Sequence, residues 1–169
     1  MKALSRHTPC GDTIFCDDIR QEITGKVTLV GVYAGSMYLL KPFPAKLGKL
    51  ALRITYQEHP DESEDPVELH IYLPGNKTGE PHMKTVLDHK FREAGKPLLE
   101  STPVFEGDDT EKLLSATFHV EMTDVPLNGA GRIKVRAYRG GDEIRLGSLL
   151  VQQLTSPAIA AAAAETGNG

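Results

Sequence analysis

The sequence has no tryptophan and only five tyrosines and five phenylalanines among its 169 residues. So few aromatic side chains argue against a base-stacking platform for single-stranded nucleic acid. An excess of basic residues is also lacking, because 19 Lys and Arg stand against 23 Asp and Glu, which gives a formal net charge of −4. Nucleic-acid binding depends on concentrated positive charge. We therefore expect no nucleic-acid partner.

Long hydrophobic runs are missing as well. The longest apolar stretch, residues 27–40, is interrupted by glycines and suits a pair of strands rather than a membrane span. Residues 1–15 lack the uninterrupted apolar core of a secretory signal. These two absences predict no membrane partner and a protein that is cytoplasmic when it is synthesised.

Cysteine is scarce, and Cys10 and Cys16 are the two examples. In cytoplasm both are expected to be reduced thiols. A bridge between them would require the five intervening residues to turn back sharply, which the Thr-Pro-Cys-Gly-Asp context would permit. Two free thiols are the favoured interpretation, and the bridge stays open as the alternative.

What the sequence does contain is alternation with period two between apolar and polar residues, in four segments. Such segments are typical of strands with one buried and one solvated face, as in antiparallel sheets. The predicted inward-facing sets are Leu50, Leu52, Ile54 and Tyr56; Val67, Leu69, Ile71 and Leu73; Leu114, Ala116, Phe118, Val120 and Met122; and Ile133, Val135 and Ala137. Residues 26–34 are apolar on both faces and predict a central strand.

Glycines punctuate these segments. Gly140-Gly141 has the spacing of a two-residue hairpin turn, and Gly147-Ser148 predicts a β-bulge because the alternation shifts there by one residue. Residues 84–95 fit a helix that stops at Gly95, and a strand fits them nearly as well.

These patterns predict an all-β fold, a single antiparallel β-sandwich of the immunoglobulin-like or C2-like kind, with seven to eight strands and one short helix. The predicted organisation is an N-terminal arm over residues 1–10, a sandwich domain over 11–154 and an Ala-rich C-terminal tail over 155–169. A short Ala-rich helix is marginal alone in water, so an ordered tail needs a surface, either on a neighbouring subunit or on the sandwich itself. Deleting residues 156–169 is expected to leave the sandwich folded and to weaken self-assembly or attachment to a partner.

The stretch FCDDIRQEITGKVTLVGVYAG, which begins at Phe15, places a thiol beside two carboxylates. A catalytic cysteine needs a nearby base and a lowered pKa, whereas the charges of Asp17 and Asp18 would raise it. We therefore predict a strand with Phe15 in the core, followed by a turn that the aspartates initiate.

The same stretch, continued through LGKLAL, resembles the opening of a family of small proteins from bacterial, particularly rhizobial, genomes and their prophages. The function of that family is unassigned. The resemblance covers about the first third of the chain, and it departs at Leu47-Gly48-Lys49, where Leu-Pro-Lys is expected. It implies a bacterial or phage origin and no catalytic residues.

Two acidic loops, residues 58–68 and 106–111, raise the question of calcium. Calcium prefers several hard oxygen ligands drawn from more than one loop. Neither loop has the spaced aspartates or the ordering glycine of a known calcium loop. The carboxylates concerned are Glu58, Asp61, Glu62, Glu64, Asp65, Glu68, Glu106, Asp108, Asp109 and Glu111.

Two further clusters depend on which strands are neighbours. His70 with Glu68 and His119 with Glu121 would approach metal-ligand geometry if their strands were adjacent; cross-strand pairing is the simpler explanation. A shared basic face would likewise comprise Lys49, Arg53, Arg132, Lys134, Arg136 and Arg139. The simpler explanation for these residues is pairing with nearby Glu, together with lysines that discourage edge-to-edge aggregation. We predict no catalytic, cofactor-binding or metal-binding residues.

The leading functional hypothesis is a non-enzymatic structural or interaction protein with a protein partner or self-association, specifically a phage or prophage virion accessory subunit that decorates a capsid or associates with a tail. The alternative is a cytoplasmic bacterial binding or regulatory module. A calcium- or metal-dependent binding domain is the third hypothesis and rests on the acidic loops and the His–Glu pairs.

Overall fold

The computed structural model describes residues 8–60, 65–87, 90–103 and 112–154. Within those ranges the chain forms ten strands and one helix, which confirms an all-β, sandwich-like fold with more strands than the predicted seven or eight. In chain order the elements are β1 (Cys10–Cys16), β2 (Asp18–Gln21), β3 (Val27–Val30), β4 (Ser36–Leu39), β5 (Ala45–Glu58), β6 (Val67–Tyr72), β7 (Met83–Leu87), α1 (Lys90–Ser101), β8 (Leu114–Leu127), β9 (Gly131–Arg139) and β10 (Asp142–Gln153). The predicted arm and tail lie almost wholly outside the described residues.

The described strands form three sheets. One has the order β1-β5-β8, the second has the order β4-β10-β9-β6-β7, and the third is the β2–β3 hairpin. Every pairing is antiparallel except that of β4 with β10, which is parallel. The prediction of a purely antiparallel fold is therefore wrong at this one edge.

The core lies between the three-stranded and the five-stranded sheets and confirms the alternation of β5, β6 and β9. Leu50, Leu52, Ile54 and Tyr56 of β5 are fully buried and belong to the same cluster as the inward-facing residues of β6, β9 and β10. On β8, Phe118 and Val120 are only partly buried and pack at the margin of this cluster.

The apolar run after Gly25 does not form a central strand. It divides into β3 and β4, because Gly31 and Gly35 adopt φ values of 66° and 91° that break the extended chain between them. Val32, in that break, is 55% exposed. The β2–β3 hairpin instead covers one patch of the three-stranded sheet, where Cys16, Ile19 and Ala51 form a small second core.

The segment 84–95 combines both predicted structures. Its first part is strand β7, and the helix begins at Lys90 and continues past Gly95 to Ser101. Gly95 is therefore not a helix stop. Instead it permits α1 to approach β8 closely, because a Cβ at this position would come 2.7 Å from Cδ2 of Leu114 on β8.

Both predicted glycine features are present. Gly140 and Gly141 have φ values of 55° and 93° and join β9 to β10 as a two-residue turn. The register of these strands shifts between Arg145 and Gly147, so the bulge falls one residue earlier than predicted.

Asp17 and Asp18, which follow β1, stabilise the beginning of the fold through hydrogen bonds and ion pairs. Asp17 accepts a hydrogen bond from the Tyr33 hydroxyl, and its backbone N–H donates to the carbonyl of Val30 at 2.9 Å. Asp18 forms ion pairs with Lys49 and Arg20, which lower its pKa. Phe15 is buried as predicted, but the predicted turn at the two aspartates is wrong: the chain only bends at Asp17, and Asp18 already begins β2.

The two cysteines occupy opposite ends of β1, and both are free thiols. Six extended residues span about 20 Å, which excludes a bridge within the chain. Cys10 is exposed, whereas Cys16 is fully buried, and burial raises the pKa of the Cys16 thiol.

We expect the two thiols to differ sharply in reactivity. A thiolate-directed reagent at neutral pH should label Cys10 and leave Cys16 unmodified, because Cys16 is inaccessible and stays protonated. Mass spectrometry of the labelled protein should show one adduct in native buffer and two in denaturant. Rapid double labelling of the native protein would contradict the burial of Cys16.

Candidate binding face on the five-stranded sheet

Polar side chains of four strands meet on the solvent side of the five-stranded sheet, which we call the outer face. They alternate with the buried residues of each strand, so the pattern that builds the core also places them here. The outer face comprises Glu68, His70 and Tyr72 of β6, Lys84 of β7, Arg132, Lys134, Arg136 and Tyr138 of β9, and Glu143 and Arg145 of β10.

His70 lies at the centre of this face and bonds on both sides. Its Nε2 is 3.0 Å from Oε2 of Glu68, and its Nδ1 is 3.1 Å from the hydroxyl of Tyr72. Lys84 contacts the same Glu68 oxygen at 2.7 Å. Lys84 and His70 together lower the pKa of Glu68, so the acceptor in this cluster is a carboxylate.

The same chain of hydrogen bonds continues across β9 to β10. The hydroxyls of Tyr72 and Tyr138 are 3.1 Å apart, and Tyr138 donates to Oε2 of Glu143 at 3.2 Å. Arg136 pairs with the other Glu143 oxygen at 3.2 Å. Burial and the bond with Tyr72 raise the pKa of Tyr138, which therefore stays a phenol and a donor.

A cleft of about 590 Å³ opens beside these hydrogen-bonded side chains, between β9 and the loop from Leu73 to Glu80. The loop is held by its own hydrogen bonds: Asn76 donates to the Glu80 carbonyl at 2.9 Å and accepts from the Thr78 hydroxyl at 2.9 Å. Gly75 allows it to pack on the β8–β9 turn, because a Cβ there would lie 2.6 Å from the carbonyl carbon of Asn128. The cleft therefore has an ordered wall.

The floor of the cleft is basic. Arg132, Lys134, Arg136 and Arg145 line it, against the carboxylates of Glu80 and Glu143. Among the described residues neither Arg132 nor Lys134 takes part in an ion pair, and Arg132 donates only to the Ser148 hydroxyl, at 3.1 Å. Two cations of the floor are thus available to an anionic group.

The other predicted clusters are separated by the topology. His119 and Glu121 lie on β8 of the three-stranded sheet, so they do not meet His70 and Glu68. Lys49 and Arg53 lie on β5 of that sheet too, so they do not share a face with the basic residues of β9, and Lys49 pairs with Glu121 as the simpler explanation has it. In the described ranges no three His, Cys, Asp or Glu side chains are placed to hold a metal ion.

The first acidic loop is also divided. Glu58, at the end of β5, is buried and accepts hydrogen bonds from Tyr56, Arg92 and Arg139. Glu68 belongs to the outer face. Residues 61–64 and the whole second loop, 106–111, lie outside the described residues. The calcium hypothesis therefore stays a prediction, and the buried Glu58 no longer belongs to its set of carboxylates.

Sequence reasoning missed Tyr72 and Tyr138 as members of a site. Both occupy solvent-facing positions of alternating strands, and an aromatic residue there is a usable signal, since a phenol on a polar face usually has a hydrogen-bonding role. Their mutual contact was not readable, because it depends on the register of strands 66 residues apart.

None of the described residues form a helix that is both long and apolar enough to cross a membrane. Searches for similar proteins among family models, curated sequences and solved structures found no match for this chain.

Proposed function

We propose that this chain is a non-enzymatic interaction protein and that the outer face of the five-stranded sheet is its binding surface. The observation that carries the proposal is the cleft beside β9, with a hydrogen-bonded loop as its wall and, on its floor, two cations that form no ion pair with any described residue. Polar groups held in fixed positions by neighbouring strands favour binding, because little conformational freedom is lost when a partner docks.

Two other observations support a binding role over a catalytic one. Both ring nitrogens of His70 are bonded to side chains of its own strand, Glu68 and Tyr72, so the imidazole is held in place as part of the surface. Cys16 is fully buried, and its raised pKa disfavours the reactive thiolate.

The specific form of the proposal is a phage or prophage virion accessory subunit, decorating a capsid or associated with a tail and made in cytoplasm before assembly. The resemblance of residues 15–52 supports it. A cytoplasmic bacterial binding or regulatory module is the alternative. The immunoglobulin-like or C2-like form of the sandwich likewise stays a prediction.

Site-specific photocrosslinking tests the surface and identifies the partner. Val86 is 54% exposed and is paired on β7 with Glu68, a residue of the outer face, so a benzophenone amino acid at Val86 should form an adduct with the partner in cells. The matched control is Ser115, which is exposed on β8 of the other sheet. Adducts with capsid or tail proteins favour the virion form, and adducts with another bacterial protein favour the module.

No adduct at Val86, or equal adducts at Val86 and Ser115, would overturn the assignment of the surface. An adduct between two copies of this chain at Val86 would show that the face serves self-association.

A further inference from the structure

We propose that the cleft floor along β9 binds an extended acidic polypeptide segment with carboxylates at alternate positions. This inference rests on the proposed function and names the chemistry of the partner. It follows from the positions of Arg132, Lys134 and Arg136, which occupy every second residue of β9 on the outer face.

The spacing of these three cations sets the spacing of the ligand. Residues two apart on a strand point to the same side and lie about 7 Å apart. An extended peptide laid along β9 has the same repeat, so acidic side chains at every second position would face Arg132, Lys134 and Arg136 in turn. Arginine favours carboxylate because its planar donors can bind both oxygens at once.

The floor continues beyond the first cleft. A second cleft of about 570 Å³ is lined by Gly11, Asp12 and Thr13 of β1 and by Leu146, Gly147 and Ser148 of β10. Arg132, Arg136 and Arg145 line both clefts. These three arginines form a ridge between two hollows, which suits a ligand longer than a single small anion.

Two carboxylates make a peptide a better fit than a phosphate polymer. Glu80 and Glu143 line the first cleft among the cations, and each is an acceptor only. A peptide offers backbone N–H donors to such acceptors, whereas a phosphate backbone offers none. Arg136, which already pairs with Glu143, would share its charge with the ligand.

Fluorescence anisotropy with a labelled peptide in which Glu alternates with Ser tests the proposal at low ionic strength. We expect saturable binding that weakens with added salt. The comparison ligands are a peptide of the same composition with its Glu residues contiguous, inorganic polyphosphate and a single-stranded oligonucleotide. The alternating peptide should bind most tightly.

The variant Arg132→Glu/Lys134→Glu should weaken binding about a hundredfold, since two charge-assisted contacts of about tenfold each are lost. Lys41→Glu/Lys46→Glu is the matched control, because it makes the same charge change at exposed residues outside both clefts. Thermal melting checks that each variant folds, and Arg132→Gln/Lys134→Gln replaces the test variant if it does not.

Equal loss of affinity in the control variant, equal affinity for the contiguous peptide, or tighter binding of polyphosphate or oligonucleotide would each overturn the proposal. A crosslink through Val86 together with no affinity for the alternating peptide would overturn this ligand class and leave the binding surface standing. Absence of the crosslink would overturn the surface itself.

Discussion

Replacing Arg92 with methionine is expected to lower the free energy of unfolding by about 3 kcal/mol. Arg92 of α1 is buried and donates to both carboxylate oxygens of Glu58, whose side chain is 1% exposed. Removing the guanidinium leaves a buried negative charge short of a partner, and that costs more than the pair itself contributes. Arg139, 3.2 Å from Glu58, limits the loss to the lower part of the usual range.

Urea unfolding measures this effect, with Lys96→Met as the control. Lys96 lies on the same helix and is exposed, so its substitution should change stability by no more than about 0.5 kcal/mol. The double variant Glu58→Leu/Arg92→Met should recover part of the loss, since it removes the stranded charge. Equal stabilities of Arg92→Met and Lys96→Met would show that Glu58 does not depend on Arg92.

Replacing Leu52 with alanine is expected to cost about 2–5 kcal/mol of unfolding free energy. Leu52 is fully buried on β5, between Phe15 of β1 and Val120 of β8, and it faces the core between the two large sheets. The truncation removes apolar contacts and leaves a cavity that the surrounding strands cannot fill.

The matched control for this truncation is Leu98→Ala. Leu98 is 68% exposed on α1, so the same chemical change should alter stability by no more than about 0.5 kcal/mol. Denaturant unfolding of both variants gives the comparison. A small loss at Leu52 would mean that the inward face of β5 is not in the core.

The contrast between these two sites explains how much the sequence could predict. Leu52 was assigned to the core because burial on one side of a strand imposes a period of two, and that period can be read locally. Arg92 gave no such signal. Its burial depends on a carboxylate 34 residues away at the end of another strand, and a lone arginine in a helix is ordinarily expected at the surface.

The same distinction between local and long-range information applies to the candidate site. Arg132, Lys134 and Arg136 were recognised as one side of an alternating strand. That Lys49 and Arg53 belong elsewhere, and that His70 bonds to Tyr72 rather than approaching His119, follows from strand order, which no local pattern specifies. The division of the apolar run into β3 and β4 cannot be predicted from composition, because an apolar segment without periodicity does not reveal which face is covered.

The parallel pairing of β4 with β10 has a consequence for how the protein is made. Ser36–Leu39 find their hydrogen-bonding partner at Leu150–Gln153, which follow every other described strand in the chain. During synthesis Ser36–Leu39 therefore remain without this partner until all the intervening strands have been made. Contacts so distant in sequence slow folding, because a long loop must close before they form. The nascent chain thus exposes an unpaired strand edge until its last described strand, β10, has been synthesised. A chaperone would protect the chain most during that period.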